Sequence, residues 1–115
     1  MRTVRLLKNK ERALLIALVM DHPHATKFVE SLDRAFVEEM ADGGMGSLRF
    51  YYFGQKSRSF SKKLIEREFI DSDGIPVFVV VNVDECGDIY ELDMWKVDFS
   101  SLKRFPRAEE NRGDN

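Results

Sequence analysis

The chain has 115 residues, 18 Lys and Arg against 20 Asp and Glu, and 43% hydrophobic residues, which suits one apolar core and leaves little length for a second. A net charge of −2 excludes a broadly basic nucleic-acid binder, and one Trp, three Tyr and nine Phe exclude a chain too polar to fold. The expected organisation is a single domain over residues 1–106 and a mobile tail over residues 107–115, where the apolar pattern has decayed.

The first segment is basic (Arg2, Arg5, Lys8, Lys10, Arg12) and runs into an apolar stretch of eight residues, 13–20. That stretch is far shorter than the roughly 20 residues of a membrane span. Asp21, His22 and Pro23 follow it in place of the small-residue cleavage site of a secretory signal, so the reading is a buried helix in a cytoplasmic protein with no membrane association. The single Cys86 fits a reducing compartment. Asn9 is the expected cap of this first helix, and Pro23 its stop. A second helix is predicted over residues 24–34, with Ala25, Phe28, Val29 and Leu32 forming an apolar stripe.

From Phe36 the pattern becomes extended, and five strands are predicted over residues 36–40, 47–54, 63–71, 75–84 and 88–97. The fold class is therefore α+β, with two N-terminal helices packed on one face of a five-stranded, mainly antiparallel sheet. Glycines 43, 44 and 46 mark the first connection. Asp73-Gly74 and Cys86-Gly87 read as two-residue hairpin turns. Counting back from those turns sets Phe69 opposite Phe78, Phe78 opposite Trp95, Ile70 opposite Val77, Val79 opposite Met94, Val81 opposite Leu92 and Val83 opposite Tyr90. The nearly all-apolar face is the expected core. The opposite face would carry Arg67, Phe69, Phe78, Val80, Asn82, Glu91, Asp93 and Trp95, with aromatics at one end and acids in the middle. A bulge between Asp84 and Asp88 would exchange the faces of the last strand.

Charge is segregated along the chain. Residues 54–67 hold five Lys or Arg and one Glu; residues 68–95 hold eight acids and no Lys or Arg. Such a stretch is either a set of solvated turns and edges or a surface that attracts a basic partner. Calcium is another use for acids, and with Gly87 at the sixth position of an EF-hand loop the chain offers Asn82, Asp84, Ile89 and Asp93. Cys86 stands where a hard oxygen ligand is needed, and strands flank the loop where helices are required, so no metal is expected. No cofactor is expected either.

Catalytic constellations are lacking in the sequence. His22 and His24 flank a helix-breaking Pro23, Gly44-Met45-Gly46-Ser47 lacks the last glycine of a nucleophile elbow, and Cys86 lies among acids that suppress a thiolate. Arg49, Tyr51, Tyr52, Lys56, Arg58, Lys62 and Lys63 mix bases with aromatics as a single-strand binder does. The alternation of those aromatics is that of core strands, and nucleic acid is not the expected partner.

At residues 43–50 (GGMGSLRF), residues 82–84 and residues 91–100 (ELDMWKVDFS) the chain resembles a family of small bacterial proteins known only as a domain of unknown function, a likeness covering roughly residues 9–105. The resemblance implies no activity. By analogy, a hairpin followed by an acidic, Trp-containing strand looks like that of small bacterial immunity proteins. A cone-shaped fold like that of nuclear-transport-factor-like proteins also has this element order, but it wants a third helix, for which residues 55–63 are poorly suited.

Two functions follow from this reading. The first is a non-enzymatic protein-binding domain, of immunity or regulatory type, that offers Arg67, Phe69, Phe78, Asn82, Asp84, Glu91, Asp93 and Trp95 to a basic protein. The alternative is a small-molecule-binding or hydrolytic domain with Glu91, Asp93 and Trp95 in a sheet-lined pocket.

Overall fold

In the computed structural model, which describes residues 3–54 and 58–107, helices α1 (Asn9–Val19) and α2 (Ala25–Leu32) precede strands β1 (Ala35–Glu39), β2 (Leu48–Tyr52), β3 (Phe60–Ile70), β4 (Pro76–Asp84) and β5 (Ile89–Lys96). The α+β class, both helices and all five strands match the sequence reading. Of the tail expected over residues 107–115, residues 108–115 lie outside the described residues.

Helix α1 buries Leu14, Leu15, Leu18 and Val19, and α2 buries Phe28 and Leu32. Asn9 is not the cap of α1. Lys8 holds that position, and Glu11, one turn in, accepts the Lys8 amide at 2.8 Å. Glu11 is itself held by both terminal nitrogens of Arg5, at 2.9 and 2.8 Å. A carboxylate fixed in the first turn satisfies an end that would otherwise leave amides unpaired.

Every strand pairing is antiparallel, in the order β1-β2-β5-β4-β3. The last strand is thus inserted at the centre. Val77, Val79, Val81 and Val83 of β4 and Ile89, Leu92 and Met94 of β5 join the buried residues of both helices in one core, together with Val37, Leu48 and Phe50. Each fully buried Val or Leu there contributes roughly 1.5–3 kcal/mol. Among the described residues, the other face of the sheet carries no helix.

Both later hairpins turn through three residues, where the sequence suggested two. Asp71 donates to Ile75 O and Gly74 closes onto Asp71 O, enclosing Ser72, Asp73 and Gly74; Asp84 pairs with Asp88 O in the same way around residues 85–87. Gly74 and Gly87 both take φ of 83°, the left-handed geometry that ends such loops. The extra residue shifts β3 by one against β4, so Phe69 lies opposite Val77 and Ile70 opposite Pro76. On β5 the shift is cancelled. A bulge between the Val83–Ile89 and Asn82–Glu91 pairs leaves Tyr90 unmatched, and Val81–Leu92, Val79–Met94 and Phe78–Trp95 stand as expected. Val83 therefore faces Ile89 instead of Tyr90.

Pairing of β2 with β5 is limited to Leu48–Leu92 and Arg49–Glu91. Beyond these pairs Arg58 fills the gap, donating to the carbonyls of Phe50 and Ile89 and to Asp84 Oδ2. Its guanidinium lies 4.9 Å from the Tyr52 ring centre and 5.2 Å from that of Tyr90. A planar cation with several donors can satisfy the carbonyls released where two strands part, and rings on either side shield it from water.

Candidate functional site

The uncovered face is built in rows across the three strands β3, β4 and β5. Ile70, Pro76 and Val97 form the first row, Glu68, Phe78 and Trp95 the second, Glu66, Val80 and Asp93 the third, and Lys63, Asn82 and Glu91 the fourth. The first two rows are mostly apolar. Phe78 and Trp95 stack with ring centres 5.5 Å apart, and Phe99 lies 6.1 Å beyond the indole. Trp95 is 45% exposed, Ile70 56% and Phe99 66%. Phe99 keeps its place with φ of 62°, a conformation rare for an aromatic residue. Stacked rings left half in water offer a large, rigid contact area that loses little entropy on docking.

Toward β2 the face becomes charged. Arg49 grips Glu91 at 2.6 Å, Asn82 Nδ2 stands 3.5 Å from the other oxygen of Glu91, and Tyr51 donates to Glu38 at 2.7 Å. Lys63 pairs with Glu66 at 2.6 Å. Partial burial pushes the Asp93 carboxyl above its ordinary value, and the neighbouring Glu91 charge adds to the rise. Counting all five strands, the face presents carboxylates at 38, 66, 68, 91 and 93 against cations at 49 and 63, so its net charge is negative.

Of the residues singled out by sequence, Phe78, Asn82, Glu91, Asp93 and Trp95 stand together here. Arg67 and Phe69 do not. The three-residue turn rotates β3 so that Arg67 lies opposite buried Val79 and Phe69 opposite buried Val77, on the helix-covered side, where Phe69 is part of the core. Asp84 is also removed from the surface. It is buried in its turn, ion-paired to Arg58 at 2.6 Å and accepting the amides of Cys86 and Asp88. Burial would raise its carboxyl, but these partners outweigh burial and hold it below the ordinary value. Asp84 thus shapes the hairpin instead of reaching a partner. Of the bases that a single-strand binder would use, Arg49 is paired with Glu91, Arg58 with Asp84 and Lys63 with Glu66, Lys62 is exposed, and Lys56 lies outside the described residues.

Sequence reasoning missed Ile70, Pro76, Val97 and Phe99, which complete the apolar end. The first two needed the corrected register. Val97 was legible, since it continues the alternation of Asp93 and Trp95, whereas Phe99 depends on a backbone turn without a sequence signature.

This apolar end is held from beneath by a buried ion cluster. Lys96, facing the interior, reaches Asp71 at 2.8 Å and Asp73 at 2.6 Å and donates to Ser101 O. Asp71 also accepts the amides of Lys103 and Arg104, tying the C-terminal segment to the β3–β4 turn. Burial pushes its carboxyl up, but the amides of Lys103, Ser72 and Arg104 and the Lys96 ammonium hold it down at about 2. Two residues before Lys96 on β5, the Met94 amide donates to Ser47 Oγ, and Asp42 accepts the amides of Met45 and Ser47. The two motifs read in the sequence, residues 43–50 and 91–100, thus meet in one loop-to-strand joint.

No helix among the described residues is long and apolar enough to cross a membrane, and no group of three or more His, Cys, Asp or Glu among them is arranged to hold a metal ion. No curated protein and no solved structure shows significant similarity to the chain. A family profile described as "Domain of unknown function (DUF6984)" matches residues 4–106, nearly all of the sequence, and the chain belongs to that family.

Proposed function

We propose that this protein is a non-enzymatic binding domain, of immunity or regulatory type, acting in the bacterial cytoplasm, and that its uncovered sheet face receives a basic protein. The observation that carries this reading is the stacked Phe78–Trp95 pair with Phe99 beside it, exposed on the sheet face opposite the one that packs on the helices. An apolar anchor of the partner would seat on those rings. Lys or Arg around the anchor would meet Glu68, Asp93 and Asp98, while Glu91 is already neutralised by Arg49. Rim charges of this kind steer encounter and select partners more than they add affinity.

The test uses the charge and the rings separately. Tagged protein is used to capture partners from the native cell, side by side with Trp95→Ala and with a Glu68→Lys, Asp93→Lys double variant. A basic protein retained by the parent and lost with both variants, each still folded, supports the reading. Equal retention by all three removes the sheet face from the interaction. A small molecule held at Asp93 and Trp95 in a monomer would favour the pocket alternative.

A further inference from the structure

A second feature shares no residue with the sheet face. A cleft of about 270 Å³ opens between the start of α1, the β1–β2 loop and the C-terminal segment. Leu48, Leu102 and Phe105 give it an apolar wall, and Gly44 and Gly46 lie on its loop side beside Asp42 and Ser47. Its charged lining is five cations to three carboxylates, in a protein whose net charge is −2.

The distribution of partners decides what such a lining can bind. Glu11 and Glu39 are both taken by Arg5, Glu11 also by the Lys8 amide, and Asp42 by the amides of Met45 and Ser47. The carboxylates are thereby spent inside the protein. Lys8, Lys10 and Lys103 form no ion pair among the described residues, although the charge of Lys8 acts on Glu11; Lys10 stands 5.2 Å over the Phe105 ring, and Lys103 is fixed through its backbone amide on Asp71. Three lysines from two separate segments thus line one concavity whose carboxylates are already engaged by Arg5 and by backbone amides.

We propose that this cleft binds a compact organic phosphate, the phosphate meeting Lys8, Lys10 and Lys103 and its carbon skeleton lying on Leu102 and Phe105. The volume suits a sugar phosphate and is small for a dinucleotide. The amides of α1 take no part, because Glu11 already serves the helix start.

Calorimetric titration of the whole protein at low salt with ribose 5-phosphate, with ribose, and with a short single-stranded RNA tests this. Ribose 5-phosphate should bind with a Kd of about 1 mM or tighter and ribose should not. A Lys8→Gln, Lys103→Gln double variant should weaken the phosphate by about tenfold or more while melting as the parent does, since both side chains are exposed and form no ion pair among the described residues. Absence of heat with the phosphate, or equal binding by the double variant, overturns the proposal. RNA binding that tightens with oligomer length while ribose 5-phosphate stays silent would also overturn it, in favour of a polynucleotide surface.

Discussion

Trp95 and Phe50 occupy opposite faces of the same sheet, and their substitution separates docking from folding. Phe50 is fully buried, so Phe50→Ala should cost about 3–5 kcal/mol in a urea melt. Trp95 is nearly half exposed and its main neighbour is the Phe78 ring, so Trp95→Ala should cost only about 1 kcal/mol, the worth of a surface aromatic pair. A loss as large as that of Phe50→Ala would make Trp95 a core residue and leave the face without its anchor. Asp71 gives the acid limb of stability. Its carboxyl titrates at about 2 in the folded chain and at about 3.9 when unfolded, so the unfolded state takes up the proton first. The stability it contributes is complete above about pH 4 and is lost as the pH falls toward 2. Asp71→Asn should lower the urea midpoint at neutral pH, since Lys96 keeps only Asp73, and should flatten the fall between pH 4 and 2; parallel curves for the two proteins would contradict this. At this scale Phe78, Glu91, Asp93 and Trp95 were legible from alternation alone. Lys96 was not, because a lysine in a strand reads as solvent-facing until its two carboxylates are placed beside it.

Elements were easier to read than their joints. Hydrophobic periodicity fixes two helices and five strands because it reports which face each element buries, and that is local information. A loop of three residues instead of two is decided by turn geometry that Asp73-Gly74 allows in either form, and one residue of difference moves Arg67 and Phe69 to the other side of the sheet. A third turn residue stands at residues 85–87 as well, where the Tyr90 bulge compensates for it and Phe78 still meets Trp95. Placement of β5 between β2 and β4 was not legible at all, since it depends on contacts across the whole chain. The joint between the β1–β2 loop and β5 gives a test at this scale. A Cβ on Gly46 would stand 3.1 Å from Met94 Sδ at φ of 98°, whereas one on Gly74 at φ of 83° meets nothing within 4 Å. Gly74→Ala should therefore cost the backbone penalty alone, about 1–2 kcal/mol, and Gly46→Ala clearly more, as read by thermal melting. Equal costs would mean that the loop is not packed on β5.

On the scale of the whole molecule, the acidic half of the sequence is less acidic than it reads. Of its eight carboxylates, Asp71 and Asp73 face Lys96, Asp84 faces Arg58 and Glu91 faces Arg49, all bases from outside that stretch. Folding thus sets three cations against four of the eight carboxylates and leaves a smaller negative field beside a ring cluster, a pattern suited to specific docking more than to long-range attraction. The central claim is that partners dock on this face, and site-specific photocross-linking in the native cell addresses it most directly. A photoreactive residue at Val80, in the third row of the uncovered face, is compared with one at Glu30 on α2, away from the sheet face. The account predicts adducts from position 80 to a basic protein through a segment with Lys or Arg beside a large apolar side chain, and few or none from position 30. Adducts from position 30 alone, or from position 80 only to a second copy of this chain, would contradict it.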